Sequence, residues 1–341
     1  VGPNADNRYN MLGDYTAPQE DENIKTVLDG VISKLSPSKV EYVRGCAIRD
    51  TTVNEIAEVV EAASRSEVII AVVGGSSARD FKTSYQETGA AIADEKSISD
   101  MECGEGFDRA TLTLLGKQQD LLNALKATGK PLIVVYIEGR PLDKVWASEY
   151  ADALLTASYP GQEGGYAIAD VLFGDYNPAG RLPVSVPRSV GQIPVYYNKK
   201  APCNHDYVEQ AASPLYTFGY GLSYTTFEYS DLQVMRKSPC YFEVSFKVKN
   251  TGSYDGEEVA QLYLRDEYAS VVQPLRQLKC FERFFLKRGE EKEIFFTLTE
   301  KDLSIIDRNM KRVVETGDFR IMIGASSDDI RLTKDISVES L

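Results

Sequence analysis

Apolar and polar positions follow two different periods in the two halves of this 341-residue chain. Up to about residue 190, short apolar runs alternate with stretches whose apolar residues recur every three or four positions, as in strands and amphipathic helices. Thr52 is expected to cap the first of these helices, with Glu55 as its capping-box partner. Strands are expected at 40–46, 68–73, 132–137 and 152–158, and two further helices around 114–125 and over 163–173. This alternation of strand and helix predicts a doubly wound α/β layer.

The second half of the chain changes to a period of two. After about residue 224, apolar residues take every second position of 242–248, and similar short runs lie at 259–264, 281–286, 294–298 and 319–323. This spacing predicts an antiparallel β-sandwich of about seven strands. The expected fold class is therefore α/β plus all-β. The expected domains are an α/β sandwich over residues 1–190, an irregular connection over 191–228 and a β-sandwich over 229–341.

The N-terminal residues 1–6 have the pattern of a strand end that runs into the loop before a helix. The strand that should precede Gly2 is missing, so we expect a sheet that lacks its first strand. We interpret the chain as part of a longer protein.

Composition restricts the function more than the fold. The chain carries 38 Lys and Arg against 51 Asp and Glu, which gives a net charge of −13. Such an acidic surface repels phosphate backbones and anionic lipids. No apolar run reaches the roughly 18 residues that a membrane span needs. We therefore expect neither nucleic-acid binding nor membrane insertion.

Histidine and cysteine offer little material for a metal site. His205 is the one histidine, and the five cysteines form no CxxC pair, which argues against a zinc site or a disulfide framework. No cofactor and no metal are expected, and acid–base chemistry should rest on carboxylates. The neighbouring Asp206 suggests a dyad with His205, although a surface histidine in an irregular connection is the favoured interpretation.

A long segment without periodicity, residues 74–108, follows an expected parallel strand. Long loops of this kind are often functional, and ligands bind at the carboxyl ends of such strands. Glu105 lies between two glycines, which lets the backbone turn tightly and present the carboxylate outward. Asp108 and Arg109 are placed to fix the base of this loop to a helix start. A solvated acidic loop with Asp108 as a helix N-cap is an equally favoured alternative.

Two glycine-containing segments have simpler interpretations. Residues 74–77 read Gly-Gly-Ser-Ser and match neither common phosphate-binding motif, so a tight turn or the lining of a sugar pocket is favoured over a nucleotide site. Phe218–Tyr224 is dense in glycine and tyrosine. We interpret it as a packed corner between domains rather than as a ligand contact.

Six segments spread along the chain carry a family resemblance. They are Val1–Asp6, Glu105–Arg109, Pro160–Gly165, Asn177–Pro183, Phe218–Phe227 and Pro274–Lys279. In this order, and over nearly the whole chain, they resemble the glycoside hydrolase family 3 enzymes. Each segment alone is weak evidence, whereas the ordered set is strong.

The resemblance implies an α/β sandwich domain followed by a fibronectin type III-like domain, which in the family follow an N-terminal (β/α)₈ barrel. It implies a retaining β-glucosidase or β-xylosidase that needs no metal or organic cofactor. The barrel supplies an Asp nucleophile, and the α/β domain contributes a Glu as general acid/base. By this resemblance Glu105 is that residue, with Glu102 as second choice because the spacing varies in the family. The expected substrate-binding or loop-supporting residues are Ser76, Arg79, Asp108 and Arg109.

The expected partners are a β-linked oligosaccharide or aryl glycoside and the barrel of the same enzyme, in a periplasmic or secreted location. Because the barrel is absent from this sequence, the chain alone is expected to be inactive. The alternative is a non-catalytic ligand-binding or interaction module, in which a flavodoxin-like domain carries an adhesive sandwich and Glu105 is surface charge.

Overall fold

The computed structural model describes residues 1–17, 19–78, 84–88, 91–92, 99–201 and 205–339. The chain divides into two compact units, residues 1–176 with 188–191 and residues 177–187 with 192–341. The domain limits expected at residues 190 and 228 stay predictions.

The first unit is built on a parallel sheet. The strands of this unit are β1 Ile69–Gly74, β2 Ser84–Tyr85, β3 Ala91–Ile92, β4 Leu132–Ile137 and β5 Ala153–Thr156. Strand β4 pairs in parallel with both β1 and β5, with Ile69 opposite Leu132 and Ile133 opposite Ala153. Strands β2 and β3 form a separate antiparallel pair. The strands predicted at 68–73, 132–137 and 152–158 are confirmed, with small shifts at their ends.

Helices cover both faces of this sheet. They are α1 Arg8–Leu12, α2 Val27–Lys34, α3 Ile56–Arg65, α4 Gln118–Ala127, α5 Val145–Tyr150 and α6 Gly164–Phe173. Successive strand residues point to opposite faces of a sheet. Val73 of β1 packs in one apolar cluster with Leu121 of α4, whereas Val72 packs in another with Val27 of α2. The predicted doubly wound layer is therefore confirmed.

Two local predictions in this unit are wrong. Residues 40–45 form no strand, and Cys46 makes only an isolated bridge with Asn54. Among the described residues, the backbone bonds that link 40–45 to other segments run from the Gly2 N–H to the Arg44 carbonyl, from the Glu55 N–H to the Gly45 carbonyl and from the Val40 N–H to the Pro37 carbonyl. These are too few for a ladder.

The predicted capping box at the first helix is also absent. Helix α3 begins at Ile56, with Glu55 at its N-cap position. Thr52 instead donates its hydroxyl to the Asp50 carboxylate at 2.7 Å. The Glu55 carboxylate accepts the Gly45 N–H at 3.3 Å, so both residues of the expected box are engaged elsewhere.

The second unit is an antiparallel sandwich. It contains β6 Phe227–Ser238, β7 Tyr241–Asn250, β8 Gly256–Asp266, β9 Gln277–Leu286, β10 Glu291–Leu298, α7 Glu300–Leu303, β11 Ile305–Ile306, β12 Arg312–Val313, β13 Gly317–Gly324 and β14 Ile330–Val338. One sheet has the order β10-β7-β6 and the other β14-β13-β8-β9. Alternate residues such as Val244, Phe246, Leu262 and Ile321 form the core between them. These seven long strands confirm the predicted sandwich. Single 3₁₀ turns elsewhere in the chain lie at Asp21–Asn23, Pro37–Lys39 and Val190–Gln192.

The segment that precedes residue 190 packs into this second unit. Arg181 forms a buried ion pair with Glu258 of β8, at 2.5 Å. The Leu182 N–H donates to the Tyr220 carbonyl at 2.9 Å, and the Gly219 N–H donates back to the Leu182 carbonyl at 2.8 Å. The two motif segments around residues 180 and 220 are therefore paired with each other.

Candidate active site

Loops that follow the three parallel strands meet at one edge of the first unit. Gly74 ends β1, and residues 138–140 and 157–159 follow β4 and β5. The segment 102–109 lies over this edge, because the Ser76 carbonyl accepts the N–H groups of Glu102 at 2.9 Å and Cys103 at 3.2 Å. Ligands bind at this edge in open α/β sheets.

Glu105 lies at the tip of a tight turn in that segment. The Phe107 N–H donates to the Gly104 carbonyl at 3.1 Å, which closes a four-residue turn. Gly106 has φ +83°, and a positive φ at the third position is what a type II turn requires. The Glu105 side chain is exposed, and the Tyr15 hydroxyl donates to its Oε2 at 3.3 Å. The turn thus presents the carboxylate to solvent.

Glu102 has the opposite surroundings. Its side chain is 1% exposed, and its Oε2 lies 2.8 Å from Nη1 of Arg109, which is itself 6% exposed. The other arginine donor contacts the Thr113 carbonyl. Gly75 leaves room for the carboxylate, because a Cβ there would lie 1.9 Å from Glu102 Oε1. Among the described residues, Oε1 has no hydrogen-bond partner. Glu102 is therefore a buried anchor held by Arg109, with Nε of Arg140 at 3.9 Å as a second, more distant cation.

Two further arginines hold the backbone of the loop. Arg140, which follows β4, donates from Nη2 to the carbonyls of Glu102 and Phe107, both at 3.1 Å. Arg49 donates to the Met101 carbonyl at 2.8 Å. Arg140 thus joins the two ends of the turn that carries Glu105, and the tip between them is left free of this clamp.

Ser76 takes part in a buried polar chain. It is 1% exposed, and its hydroxyl donates to Asn10 Oδ1 at 2.6 Å while it accepts the Ala78 N–H at 3.1 Å. Asn10 donates to Asn4 Oδ1 at 2.6 Å, and Asn4 donates to the Gly75 carbonyl at 3.1 Å. These are the contacts of a loop-supporting residue, since no part of Ser76 faces solvent to any useful extent.

A buried ion pair fixes the loop from which Arg140 projects. Nζ of Lys144 lies 2.6 and 2.7 Å from the two carboxylate oxygens of Glu138, and the Leu142 N–H donates to the same carboxylate at 3.1 Å. Burial raises the pKa of Glu138 and lowers the pKa of Lys144, while their mutual attraction opposes both shifts. Because each ion satisfies the other, the pair holds residues 138–144 in one conformation.

The remaining predicted site residues fall in different places. Arg109 lies in the loop as Glu102's partner. Asp108 is exposed, and among the described residues no partner is recorded for its carboxylate. The predicted N-cap role of Asp108 is wrong, because the next helix begins only at Gln118. Arg79 lies outside the described residues.

Sequence reasoning missed several residues of this site. Arg140 directly follows a correctly predicted strand, so its position at the shared edge was a readable signal. Asn10 and Tyr15 reach the site from a short helix and the loop after it, for which the sequence shows no clear pattern. Gln118 binds both the N–H and the carbonyl of Gly74, at 2.8 and 2.9 Å. Its polar side chain is fully buried at the start of an amphipathic helix.

Within the described ranges, no three His, Cys, Asp or Glu side chains are placed together to hold a metal ion. The same residues include no helix with both the length and the apolar character of a membrane span.

Two family models match the chain. The glycosyl hydrolase family 3 C-terminal domain matches residues 1–224, and the fibronectin type III-like domain matches residues 258–327. A β-xylosidase of Formosa agariphila is 39% identical over 97% of this chain and 44% of its own length. A periplasmic β-glucosidase of Salmonella typhimurium is 38% identical over 97% of this chain and 45% of its own length.

Solved structures give the same assignment. A β-glucosidase from Erythrobacter marinus superposes with a TM-score of 0.84 at 35% identity, over 98% of this chain and 45% of that one. A Listeria innocua β-glucosidase mutant, solved with laminaribiose, has a TM-score of 0.84 at 29% identity, over 99% of this chain and 45% of that one. The chain spans about half the length of these relatives. It belongs to glycoside hydrolase family 3 and carries the family's C-terminal domain together with a fibronectin type III-like domain.

Proposed function

We propose that the chain is the C-terminal part of a retaining, exo-acting β-glycosidase. Of the two activities of this kind, β-glucosidase is favoured over β-xylosidase. In this proposal Glu105 is the general acid/base of a site that a (β/α)₈ barrel completes. The observation that carries it is the exposed Glu105 carboxylate at the tip of a turn fixed from both ends by Arg140. A mobile proton donor needs access to the substrate, and its backbone needs a fixed position.

The surroundings of Glu102 support this choice over the alternative. A carboxylate that is 1% exposed and paired with Arg109 at 2.8 Å has no open path to a glycosidic oxygen. The buried Glu102 carboxylate can instead anchor the loop. Glu102 therefore serves in the proposal as a positioning residue, together with Arg109 and Ser76.

The proposed chemistry divides between two carboxyl groups. Retaining glycosidases hold them about 5–5.5 Å apart. The nucleophile, from the barrel, attacks the anomeric carbon while Glu105 gives its proton to the leaving oxygen. Glu105 then takes a proton from water as that water releases the sugar. The Tyr15 hydroxyl, 3.3 Å from Glu105 Oε2, would orient the carboxylate for both transfers.

The proposed substrates are β-linked oligosaccharides and aryl glycosides, acted on in a periplasmic or secreted location. Relatives named β-glucosidase and β-xylosidase, one of them periplasmic, support this proposal. The chain alone is proposed to be inactive. The loop aspartates Asp80 and Asp94 lie outside the described residues, and Asp100 is engaged by Arg44 at 3.4 Å, so the proposal takes the nucleophile from the barrel.

The proposal is tested in the complete enzyme with Glu105→Ala. Loss of general acid–base help lowers the rate by about 10²–10⁴-fold, and most for glycosides with poor leaving groups. Added azide should partly restore turnover of an activated aryl glycoside, since it needs no basic catalyst. Glu149→Ala, a change to an exposed carboxylate of α5, is the matched control and should leave activity unchanged.

Two results would overturn it. Near-normal activity of Glu105→Ala, with loss of activity in a folded Glu102→Gln enzyme, would move the role to Glu102. Hydrolysis of aryl β-glucoside or β-xyloside by the 341-residue chain, above its own Glu105→Ala variant, would place a nucleophile in this chain.

A further inference from the structure

A cavity lies within the second unit, and its wall residues are far along the chain from Glu105. Its volume is about 230 Å³, which is below the roughly 300–1,000 Å³ of sites for drug-sized ligands. This is room for one small polar ring rather than an extended chain. The wall residues are Ser185, members of 192–200 and 207–217, two residues that precede β9 and two in the turn after β13.

Backbone bonds fix these walls to the sandwich. The Leu275 N–H donates to the Lys199 carbonyl at 2.9 Å, and the Ser327 N–H donates to the Phe218 carbonyl at 2.9 Å. On the inner side, Gln192 is buried and donates to the carbonyls of Ala211 and Ser213. The cavity is therefore a built feature and does not depend on a free loop.

Aromatic rings contribute part of the lining. The Tyr197 ring stacks on Phe218 with centroids 4.2 Å apart, and its hydroxyl accepts the Leu278 N–H at 3.3 Å. Tyr196 and Tyr207 also line the cavity, and they are 66% and 38% exposed. Exposed tyrosine rings at a cavity mouth offer flat apolar faces with a polar edge, which suits the faces of a sugar ring.

The charge of the lining is opposite to that of the protein. Lys199, Lys200 and Arg276 line the cavity, and Asp328 is the one acid among the described residues of its wall. Arg276 and Asp328 pair with each other at 3.1 Å, and Lys199 adds a further positive charge to the wall. On a chain of net charge −13, a basic cavity is a local exception that favours an anion.

We propose that this cavity is a second saccharide-binding site, and that it takes a sugar ring carrying a carboxylate, such as a uronic acid. The tyrosines would contact the ring, and Lys199 would bind the carboxylate. The site would hold an acidic branch of a polysaccharide and so concentrate the enzyme on it. This inference goes beyond the proposed glycosidase and needs no catalysis by Glu105.

Titration calorimetry of the 341-residue chain at low ionic strength tests it, with sodium glucuronate as the probe. Glucose, sodium acetate and inorganic phosphate are the comparison ligands. Glucuronate should bind more tightly than each of them. Lys199→Met should weaken binding by about fivefold, and Tyr196→Ala by roughly two- to tenfold. The matched controls Lys334→Met and Tyr268→Ala alter exposed residues of the same unit that do not line the cavity, and they should have no effect.

Several outcomes overturn the inference. They are no measurable glucuronate binding, equal binding of glucose, equal binding of acetate or phosphate, and equal loss in the control variants. Because no step of this experiment requires turnover, its failure leaves the proposed role of Glu105 untouched, and loss of that role leaves this result standing.

Discussion

The Glu102 carboxylate and the Arg109 guanidinium lie 2.8 Å apart, with side chains that are 1% and 6% exposed. Both charges have left water, so each depends on the other. The pair spans the turn that carries Glu105, and its integrity therefore decides both the stability of the loop and the position of the exposed carboxylate.

Replacing one member of this pair should be costly. Arg109→Met removes the nearer cation from the buried Glu102 charge and leaves Nε of Arg140 at 3.9 Å, and loss of a buried partner typically destabilises a protein by about 3–5 kcal/mol. The free energy of unfolding, measured by urea denaturation of the chain, should fall by that amount. The double variant Glu102→Gln with Arg109→Met removes both charges and should recover part of the loss. An Arg109→Met chain as stable as the wild type would contradict the buried pair.

Gly75 should not tolerate a side chain. A Cβ at this position would lie 1.9 Å from Glu102 Oε1, so Gly75→Ala must displace the carboxylate. Overpacking of this kind costs about 1–3 kcal/mol, read as a lower midpoint of unfolding. Gly180→Ala, where a Cβ meets nothing within 4 Å, is the matched control and should behave as the wild type.

Arg140 should act on turnover through position rather than contact. In the complete enzyme, Arg140→Met frees the carbonyls of Glu102 and Phe107, and a displacement of about 1 Å can cost about 10²-fold in rate. We expect kcat to fall more than KM rises, with partial rescue in Arg140→Lys. If Arg140→Met and Arg140→Lys lowered kcat to the same extent, and both also lowered the unfolding midpoint to the same extent, Arg140 would have a structural role alone.

Cys46 should make stability depend on alkaline pH. It is buried, and burial raises the pKa of its thiol from 9.0 to about 12. Between these values the unfolded chain loses the proton while the folded chain keeps it, so stability is intact below pH 9 and falls as the pH rises toward 12. Urea midpoints at pH 8 and pH 10 measure the fall, which should be smaller in Cys46→Ala. An equal fall in both chains would contradict this assignment.

The second unit should need residues that precede the sandwich strands. A chain that starts at Asn177 retains Arg181 opposite Glu258, whereas one that starts at Tyr229 leaves Glu258, which is 2% exposed, without this partner. We expect cooperative thermal unfolding, followed by circular dichroism, for the longer chain and a lower midpoint for the shorter one. Equal midpoints would show that the Arg181 segment adds no stability.

The local sequence pattern predicted the main strands of the sheets well, and it predicted poorly whether a flanking segment joins a sheet. The strands at 132–137 and around 69–74 could be predicted from continuous apolar runs, and five of the seven long sandwich strands from short apolar or alternating runs, whereas β6 and β14 were not assigned. Residues 40–45 also carry apolar side chains at Val40, Tyr42 and Val43, yet among the described residues they have no strand to pair with along their length. Pairing is a long-range property that a local pattern does not contain.

The candidate site shows the same division. The glycines around Glu105 predicted an exposed turn, because a local backbone requirement is written in the local sequence. The support of that turn comes from Arg49 and Arg140, 56 and 35 positions away from Glu105. Long side chains that donate to carbonyls leave no periodic trace, so only the folded structure brings them to the loop.

The clamp by Arg140 consists of hydrogen bonds to two backbone carbonyl oxygens, and every amino acid supplies such an oxygen. This clamp therefore does not depend on which side chains lie between its two attachment points. Sequence is restricted there by other requirements, namely the proposed chemistry at Glu105 and the positive φ of Gly104 and Gly106. A scaffold that fixes the backbone alone thus leaves the side chain at the reacting end to be set by chemistry rather than by support.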